Sequence, residues 1–440
     1  MLNGSDRSNS LFFKALVITF CVFLTAYVIM TNFSNPLLNT FFILITLIIA
    51  LFVPGRFSIF LLPTLIIYFG FSFLDFSNYL GIVKNQFITL YIFAFVARNF
   101  LLFKKYHCFR DEFWKVGLFA CLLFCLIIQK DLTSIIKLVF TGVFSILFVV
   151  CFKKDKSFSS LFTKSLFFAL VSAVVYNLVA VYVLKVPDAQ VQLYEKRFSG
   201  AGDANNYSLW SVICILLFDY TKCIKFKRHY YIALLFLIFG TIITISMSGI
   251  ISLLLVLFVK FFSIGFFKKP FNNQHPNITK SFAVLATVLV LISIAAGLEA
   301  LFNSNSITLK VFQRVINIKS DIDAGDLSSA TSSRSSLWEY YLDQWSLGSA
   351  NQKMFGDYSV YRALLKNEDL IASHNTFIDL LIVYGRIGLF VIVIYLFLSF
   401  FVKKRKKSKI EKLIVFIFAL NIFFRSFDVQ SAETYIFLLI

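Results

Sequence analysis

The sequence contains few charged residues, few prolines and very few histidines. Only 15% of its 440 residues are charged, and it has 6 Pro and 4 His. So few charges cannot cover a soluble protein of this length, and the 59% of hydrophobic residues and the mean hydropathy of +0.82 exclude a soluble globular class. The composition instead predicts an all-α polytopic protein that crosses a membrane many times.

Long apolar runs give the number of crossings. A helix needs about 20 apolar residues to cross about 30 Å of hydrocarbon, so we expect about thirteen transmembrane helices, within a range of about 12 to 14. They are predicted near residues 11–30, 38–53, 57–74, 86–103, 114–128, 132–152, 161–184, 207–219, 230–246, 249–267, 281–301, 376–401 and 412–426. The first run has neither a basic leading segment nor an Ala-x-Ala site, and we interpret it as a retained helix.

The basic residues cluster in short loops on one side of this map. The clusters lie at 104–115, 153–156, 222–228, 268–269 and 403–409. Because Lys and Arg are retained on the cytoplasmic side, these loops and the N-terminus are predicted to be cytoplasmic. The net charge of +19 therefore reflects topology, and a nucleic-acid partner is not expected.

The map divides the chain into five regions, two of which are polar and external. The apolar regions are the N-terminal helices at 1–184, the central helices at 207–301 and the C-terminal helices at 376–440. A short external loop spans 185–206, and a long, partly helical one spans 302–375. These two loops hold the candidate chemistry.

Metal and nucleotide sites are not expected. The 7 Cys lie in spans or cytoplasmic loops, and the pair Cys121 and Cys125 favours helix packing over metal binding. Asp321 and Asp323 could hold a divalent ion, but a solvated linker is the favoured interpretation. The sequence also lacks a Walker-type glycine-rich loop.

His374 is the only histidine that the map places outside the cytoplasm. The others are cytoplasmic, at His107, His229 and His275. Ser373 is predicted to cap a helix that starts with residues 375–381, and the free amides at such a helix end disfavour imidazolium and attract anions. His374 is therefore a candidate general base, with a capping or interfacial histidine as the alternative.

Two external arginines are candidates for binding phosphate. Arg197 precedes a turn that contains Gly200 and Gly202, and Arg334 opens a helix predicted over 333–345. Guanidinium groups present planar forks that suit phosphate oxygens, and two of them match a diphosphate. The alternative is that both are solvated or interfacial charges.

Three aromatic residues share one face of the helix predicted over 333–345. Trp338, Tyr341 and Trp345 are spaced three and four residues apart. Such a face can seat the loop on lipid headgroups, or it can stack against a sugar. The spacing leaves both interpretations open.

Arg386 makes the start of the next span ambiguous. An unpaired charge near the centre of a membrane helix costs about 2.5 to 3.5 kcal/mol. Either Arg386 faces a wet cavity, or residues 375–384 form an external helix and the span starts near Ile387. We favour the second arrangement.

Together these motifs resemble the O-antigen ligase and polymerase superfamily of bacterial envelope glycan assembly. The resemblance covers about residues 190–402. It rests on the run from His374 to Gly385 with Gly388, on Arg197-x-x-Gly200 followed by Asp203-x-Asn205, and on Arg334 with Leu337-Trp338. Members often have Asp-Pro-Asn where this chain has Asp203-Ala204-Asn205, and Ser-Arg-Gly where it has Ser246-Met247-Ser248-Gly249.

The resemblance implies a GT-C-like fold and a metal-independent, cofactor-free inverting glycosyltransferase of the bacterial cytoplasmic (inner) membrane, with its active loops periplasmic. Arg197 and Arg334 would bind the diphosphate of an undecaprenyl-diphosphate-linked glycan donor, and His374 would take the proton from the acceptor hydroxyl. Further substrate-binding candidates are Gly200, Asn205, Trp338 and Asn375. The implied partners are the lipid-linked donor, the glycan acceptor, membrane lipid and a chain-length regulator.

Three other functions compete with the favoured one. We favour a polymerase that joins lipid-linked repeat units of O-antigen or capsular polysaccharide into longer chains. An O-antigen ligase shares the chemistry and differs only in its acceptor, the lipid A-core. A flippase or transporter would place its polar residues near the midplane, whereas here they concentrate in external loops, and an inactive scaffold would make His374 dispensable.

Overall fold

The structure is a computed structural model that describes residues 4–31, 36–53, 59–69, 83–99, 113–179, 204–224, 226–244, 246–265, 334–366, 375–401 and 409–423. Within these ranges every regular element is a helix, and no strand occurs. The helix predicted at 281–301, and the site residues Arg197, Gly200 and His374, lie outside the described residues.

The described part of the chain forms fifteen helices. They are α1 (Gly4–Thr31), α2 (Pro36–Phe52), α3 (Leu61–Phe69), α4 (Val83–Asn99), α5 (Phe113–Gln129), α6 (Leu132–Lys154), α7 (Lys156–Leu178), α8 (Ala204–Thr221), α9 (Lys227–Ile243), α10 (Met247–Gly265), α11 (Arg334–Leu347), α12 (Ala350–Phe355), α13 (Tyr358–Lys366), α14 (Thr376–Phe401) and α15 (Lys409–Phe423).

The all-helical class is confirmed, and the helices follow the apolar runs. Every predicted span except 281–301 contains a described helix. Among the described residues, three stretches are long and apolar enough to cross a membrane: Leu132–Lys154, Lys156–Tyr176 and Thr376–Leu398. Five further helices are apolar but shorter. The helix predicted over 333–345 is also present, as α11.

Acidic caps fix the turns on either side of α6. Asp131 accepts hydrogen bonds from the backbone N–H (3.2 Å) and the hydroxyl (2.8 Å) of Ser134. Asp155 ends α6 and caps α7, where its carboxylate accepts from the N–H groups of Ser157 (2.8 Å) and Phe158 (3.2 Å). Because each cap satisfies backbone donors that a helix start leaves unpaired, α5, α6 and α7 follow one another through very short turns.

Apolar and aromatic side chains fill the spaces between the helices. Phe148 of α6 contacts Phe162 of α7, with ring centroids 5.0 Å apart. Polar links are rarer and run between specific helices: the Tyr207 hydroxyl donates to the Leu170 carbonyl (3.1 Å), and the Asn421 amide donates to Ser252 (2.8 Å). Such packing with occasional hydrogen bonds is typical of helices associating in lipid.

The described part of the long polar loop lies on the helix bundle. α11, α12 and α13 all pack on α14, and α12 also packs on α5. The loop predicted to be external is therefore a set of helices attached to α14, the helix that directly follows His374 in sequence.

Candidate functional site

α14 begins at Thr376, and Asn375 caps it. The Asn375 side-chain oxygen Oδ1 accepts from the N–H groups of Phe377 (3.0 Å) and Ile378 (3.4 Å). The prediction that Ser373 caps this helix is therefore wrong. Asn is as good an N-cap as Ser, and the helix starts one residue later than the sequence suggested. His374 thus directly precedes the cap residue in sequence.

The polar side chains at the start of α14 are buried. Thr376 and Asp379 have no exposed surface, and Asn375 has 5%. A carboxylate in the first turn is stabilised by the positive end of the helix. The prediction gave Asp379 no role, although it lies within the motif that carries the resemblance.

Tyr341 of α11 lies beside Asp379. Burial, followed by the charge of Asp379 and that of Tyr340, raises the pKa of Tyr341 to about 12. Tyr341 therefore remains a neutral phenol at physiological pH, and its ring is fully buried. The interaction between Tyr341 and Asp379 places the middle of α11 near the start of α14.

A second contact joins the same two helices further along. The guanidinium carbon of Arg386 lies 5.1 Å from the centre of the Trp345 ring, a distance at which a cation is attracted to the aromatic face. Trp345 follows Tyr341 by one turn, and Arg386 follows Asp379 by about two turns. The two interactions occur in the same order along both helices, which indicates that α11 and the start of α14 run in the same general direction, with their N-terminal ends on the same side of the pair.

The parallel arrangement brings two predicted site positions to one place. α11 begins at Arg334, and α14 begins at Thr376, directly after Asn375. Both N-terminal ends carry partial positive charge from the helix dipole. The backbone of Arg334 and the residues next to His374 thus lie at a common, electropositive end, although the Arg334 side chain is not among those described.

The aromatic face of α11 packs against protein. Tyr341 is fully buried, and Trp338 and Trp345 are partly buried and pack against the hydrophobic core. α14 supplies part of this contact. This packing explains the aromatic spacing without a sugar, and a substrate-stacking role for Trp338 stays a prediction.

α14 is broken at Gly385, next to Arg386. Gly385 has φ 65° and ψ −168°, which no helix allows, and the exposed Arg386 side chain follows it. The sequence favours a span that starts near Ile387, and the break at Gly385 lies just before that residue. Whether residues 375–384 lie outside the membrane stays a prediction.

Gly356 and Gly385 cross at backbone contact distance, an arrangement we call the glycine crossing. Both have positive φ, at 83° and 65°. A Cβ on Gly356 would lie 2.6 Å from the Gly385 nitrogen, and one on Gly385 would lie 2.5 Å from the Gly356 nitrogen. The N–H of Asp357 also donates to the carbonyl of Ile382 (2.7 Å). Only glycine fits at either position.

The side chain of Gln129 holds this crossing from the end of α5. Its Nε2 donates to the carbonyls of Phe355 (2.7 Å) and Val383 (2.8 Å), and its Oε1 accepts from the N–H of Tyr358 (2.9 Å). One carboxamide thereby joins the end of α5 to two segments that lie more than two hundred residues later in the sequence. We call these three hydrogen bonds the Gln129 clamp.

Ionic and capping contacts surround the clamp. Arg362 of α13 forms a salt bridge with Asp131, and its guanidinium lies 4.8 Å from the centre of the Tyr358 ring. Asp357 caps α13: partial burial alone would raise its pKa, but hydrogen bonds from Ser359, from Gln352 and from backbone N–H groups hold the pKa below its ordinary value. The loop helices are thus attached to the turn after α5 by polar contacts as well.

Asn205, a predicted substrate ligand, links α8 to the turn before α10. The Ser246 hydroxyl donates to the Asn205 side-chain oxygen (2.7 Å), and the Gly249 N–H donates to that same hydroxyl (3.2 Å). The Ser208 hydroxyl donates to the Asn205 carbonyl (2.8 Å). Asn205 thereby has a structural role, and substrate binding by its amide stays a prediction.

Comparison with family models, with curated proteins and with solved structures finds no match to this chain.

The structure unites some predicted site residues and adds others. It brings the backbone of Arg334 and Asn375 to one end of the α11 and α14 pair, with Trp338 one turn further along α11, and it places Asn205 in the contact between α8 and the turn before α10. Sequence reasoning missed Gln129, because a single glutamine at the end of an apolar run carries no periodic signal. It also missed the crossing of Gly356 and Gly385. Among the described residues, no three His, Cys, Asp or Glu side chains lie close enough to hold a metal ion.

Proposed function

We propose that this protein is a membrane glycosyltransferase that polymerises polyprenyl-diphosphate-linked repeat units on the outer face of the bacterial cytoplasmic membrane. One observation carries the proposal: α11 and α14 run in parallel, so the helix that begins at Arg334 and the helix that follows His374 present their N-terminal ends together. Two helix N-termini and an arginine attract phosphate oxygens.

The proposed chemistry divides between binding and proton transfer. Arg334, with Arg197 from the shorter loop, binds the diphosphate of the donor. The acceptor hydroxyl attacks the anomeric carbon, the bond from that carbon to the phosphate oxygen breaks, and the diphosphate leaves with the electron pair. Cations at the diphosphate stabilise this developing charge more than the ground state, which accelerates the step.

His374 takes the proton of the attacking hydroxyl. An imidazole next to the positive end of α14 is disfavoured as imidazolium, so it is available as a neutral base. A single displacement of this kind inverts the anomeric configuration. The energy comes from the donor bond, and the reaction as proposed needs neither metal nor cofactor.

Contacts between helix ends support the proposed topology of about thirteen spans in a GT-C-like fold. The 129–131 turn meets the loop helices through Gln129 and the Asp131–Arg362 salt bridge, and the charge distribution assigns both segments to the outside. On the side assigned to the cytoplasm, Lys260 pairs with Asp219 (2.7 Å), and Tyr230 donates to Asp219 (2.7 Å). Each contact joins segments assigned to the same side.

Deletion and complementation in the host bacterium test the proposal. His374→Ala and Arg334→Ala are each compared with matched controls in segments assigned to the cytoplasm, His275→Ala and Arg228→Ala. We expect both test variants to leave surface core carrying one repeat unit, and both controls to restore the full ladder on a gel, at equal protein level.

Other gel patterns would contradict the proposal. Bare core with long lipid-linked chains would indicate the ligase, and lipid-linked units trapped on the inner leaflet would indicate a flippase. A normal ladder with His374→Ala would remove the assigned base.

A further inference from the structure

We propose that Gln129 is a positioning residue for the transfer reaction, because its clamp sets the position of α11 relative to α14 and hence of Arg334 relative to His374. The catalytic consequence rests on the function proposed above, whereas the clamp itself is a matter of geometry. Gln129 lies at the end of α5, and the hydrogen bonds described for its side chain are to backbone atoms of Phe355, Tyr358 and Val383.

The clamp uses both N–H donors and the carbonyl oxygen of one carboxamide. Both N–H bonds of Nε2 point to backbone carbonyls, of Phe355 and Val383, while Oε1 receives the N–H of Tyr358. Phe355 ends α12, where backbone carbonyls lack helical partners, and Val383 lies two residues before the break at Gly385. Gln129 therefore supplies partners at two interrupted helix ends.

The clamp acts at a junction that cannot slide. At the glycine crossing, a single added methyl group on either chain would overlap the other backbone. The N–H of Asp357 donates to Ile382 on the opposite chain (2.7 Å). Gln129 closes the third side of this junction, so the segment after α12 and the break in α14 keep one relative position.

Both contacts that orient α11 lie close to this junction in sequence. Arg386, which lies over Trp345, directly follows Gly385, and Asp379, which lies beside Tyr341, precedes Val383 by one turn. A shift at the junction therefore moves α11 along or away from α14. Since α11 begins at Arg334, the distance between Arg334, which is proposed to bind the diphosphate, and His374, the proposed base, changes with it.

A glutamate at position 129 provides a reversible test. Gln129→Glu keeps the shape and the acceptor for Tyr358, but at high pH it places a carboxylate oxygen against the carbonyls of Phe355 and Val383. Burial and these oxygens favour the protonated acid, which regains one donor. Gln129→Leu lacks all three hydrogen bonds at every pH, and Ile127→Ala, an exposed position two residues earlier, is the matched control.

The assay uses full-length protein in proteoliposomes with lipid-linked oligosaccharide extracted from a strain that lacks this gene. We expect the kcat of Gln129→Glu to be about tenfold below that of wild type at pH of about 8.5, with KM changed by less than about threefold. The ratio of the variant's kcat to the wild-type kcat should rise again toward pH of about 6. Gln129→Leu should show a loss that does not depend on pH, and Ile127→Ala should match wild type.

Proteolysis of the same samples separates the clamp from the reaction. We expect proteinase K to cleave Gln129→Glu within 348–357 faster than wild type at high pH and at a rate closer to wild type at low pH. If wild type elongates no glycan but this cleavage pattern holds, the proposed function fails and the clamp stands. If the cleavage and the turnover of Gln129→Glu equal those of wild type at every pH, the inference is overturned. It is also overturned if cleavage changes with pH while turnover does not.

Discussion

Asn375 and His374 are adjacent residues to which we assign different tasks. Asn375 binds two backbone N–H groups at the start of α14 through Oδ1, and His374 directly precedes it in sequence. By this division, Asn375 acts on the reaction only by fixing where the helix begins. The resemblance, in contrast, implies that Asn375 binds substrate, and the two roles use different atoms of the same side chain.

Substitution of Asn375 distinguishes these roles. Asn375→Asp keeps a capping oxygen and removes the amide donor, whereas Asn375→Ala removes the cap and should lower stability by about 1 kcal/mol. We expect the Asp variant to retain the thermal stability and glycan synthesis of wild type, and the Ala variant to lose part of both. A stable Asp variant without synthesis would instead assign Asn375 to the substrate.

At the scale of elements, the glycine crossing is what joins the long loop to the bundle. Gly356 ends α12 and Gly385 interrupts α14, and each has a left-handed φ that other residues rarely adopt. Backbone contact at this distance leaves no room for adjustment by side chains. The loop helices are therefore attached through main chain, and Gln129 and Arg362 reinforce the attachment.

Alanine substitutions compare the crossing with an ordinary helix position. Gly385→Ala combines a left-handed strain of about 1 to 2 kcal/mol with overlap against the Met354 backbone, so we expect a loss of about 3 kcal/mol or more. Gly117, inside α5, has open space around it, and Gly117→Ala should leave stability equal or raise it by up to about 1 kcal/mol. Thermal unfolding in detergent measures the stability of both variants. Equal stability changes in Gly385→Ala and Gly117→Ala would contradict the close backbone contact at the glycine crossing.

The helices were predictable from sequence to a greater extent than the site. Apolar runs place α5, α6 and α14 within a few residues of their observed ends, because lipid requires continuous helices of a set length. The Gln129 clamp was not predictable, since it depends on three segments far apart in sequence meeting at main-chain atoms. The cap at Asn375 was missed because Ser373 has the same local chemistry, and only the observed start of α14 distinguishes them.

At the scale of the whole molecule, polar contacts gather at helix ends. The Gln129 clamp and the Asp131–Arg362 salt bridge lie on the side that the charge distribution assigns to the exterior. The Asp219–Lys260 pair lies on the side assigned to the cytoplasm. Between them the helices pack mainly through apolar side chains, which is the arrangement expected of a bundle that crosses a bilayer.

Cysteine labelling tests this sidedness. In a background in which all 7 cysteines are replaced by serine, single cysteines replace Lys130, Ser359 or Lys156, all of which are exposed. An impermeant maleimide applied to intact spheroplasts should label positions 130 and 359, and should label position 156 only after the membrane is opened. Labelling of position 156 from outside, or protection of 359, would contradict the proposed topology.

The central claim is that His374 acts as the base in a transfer that lengthens a lipid-linked glycan. Its most direct test measures chain growth by purified protein in proteoliposomes, with extracted lipid-linked repeat units as the only substrate and no added metal or nucleotide. The account predicts a ladder of products with wild type and with His275→Ala, and no products beyond one repeat with His374→Ala, although that variant should still bind the lipid-linked donor. A ladder from His374→Ala equal to that of wild type would contradict the account.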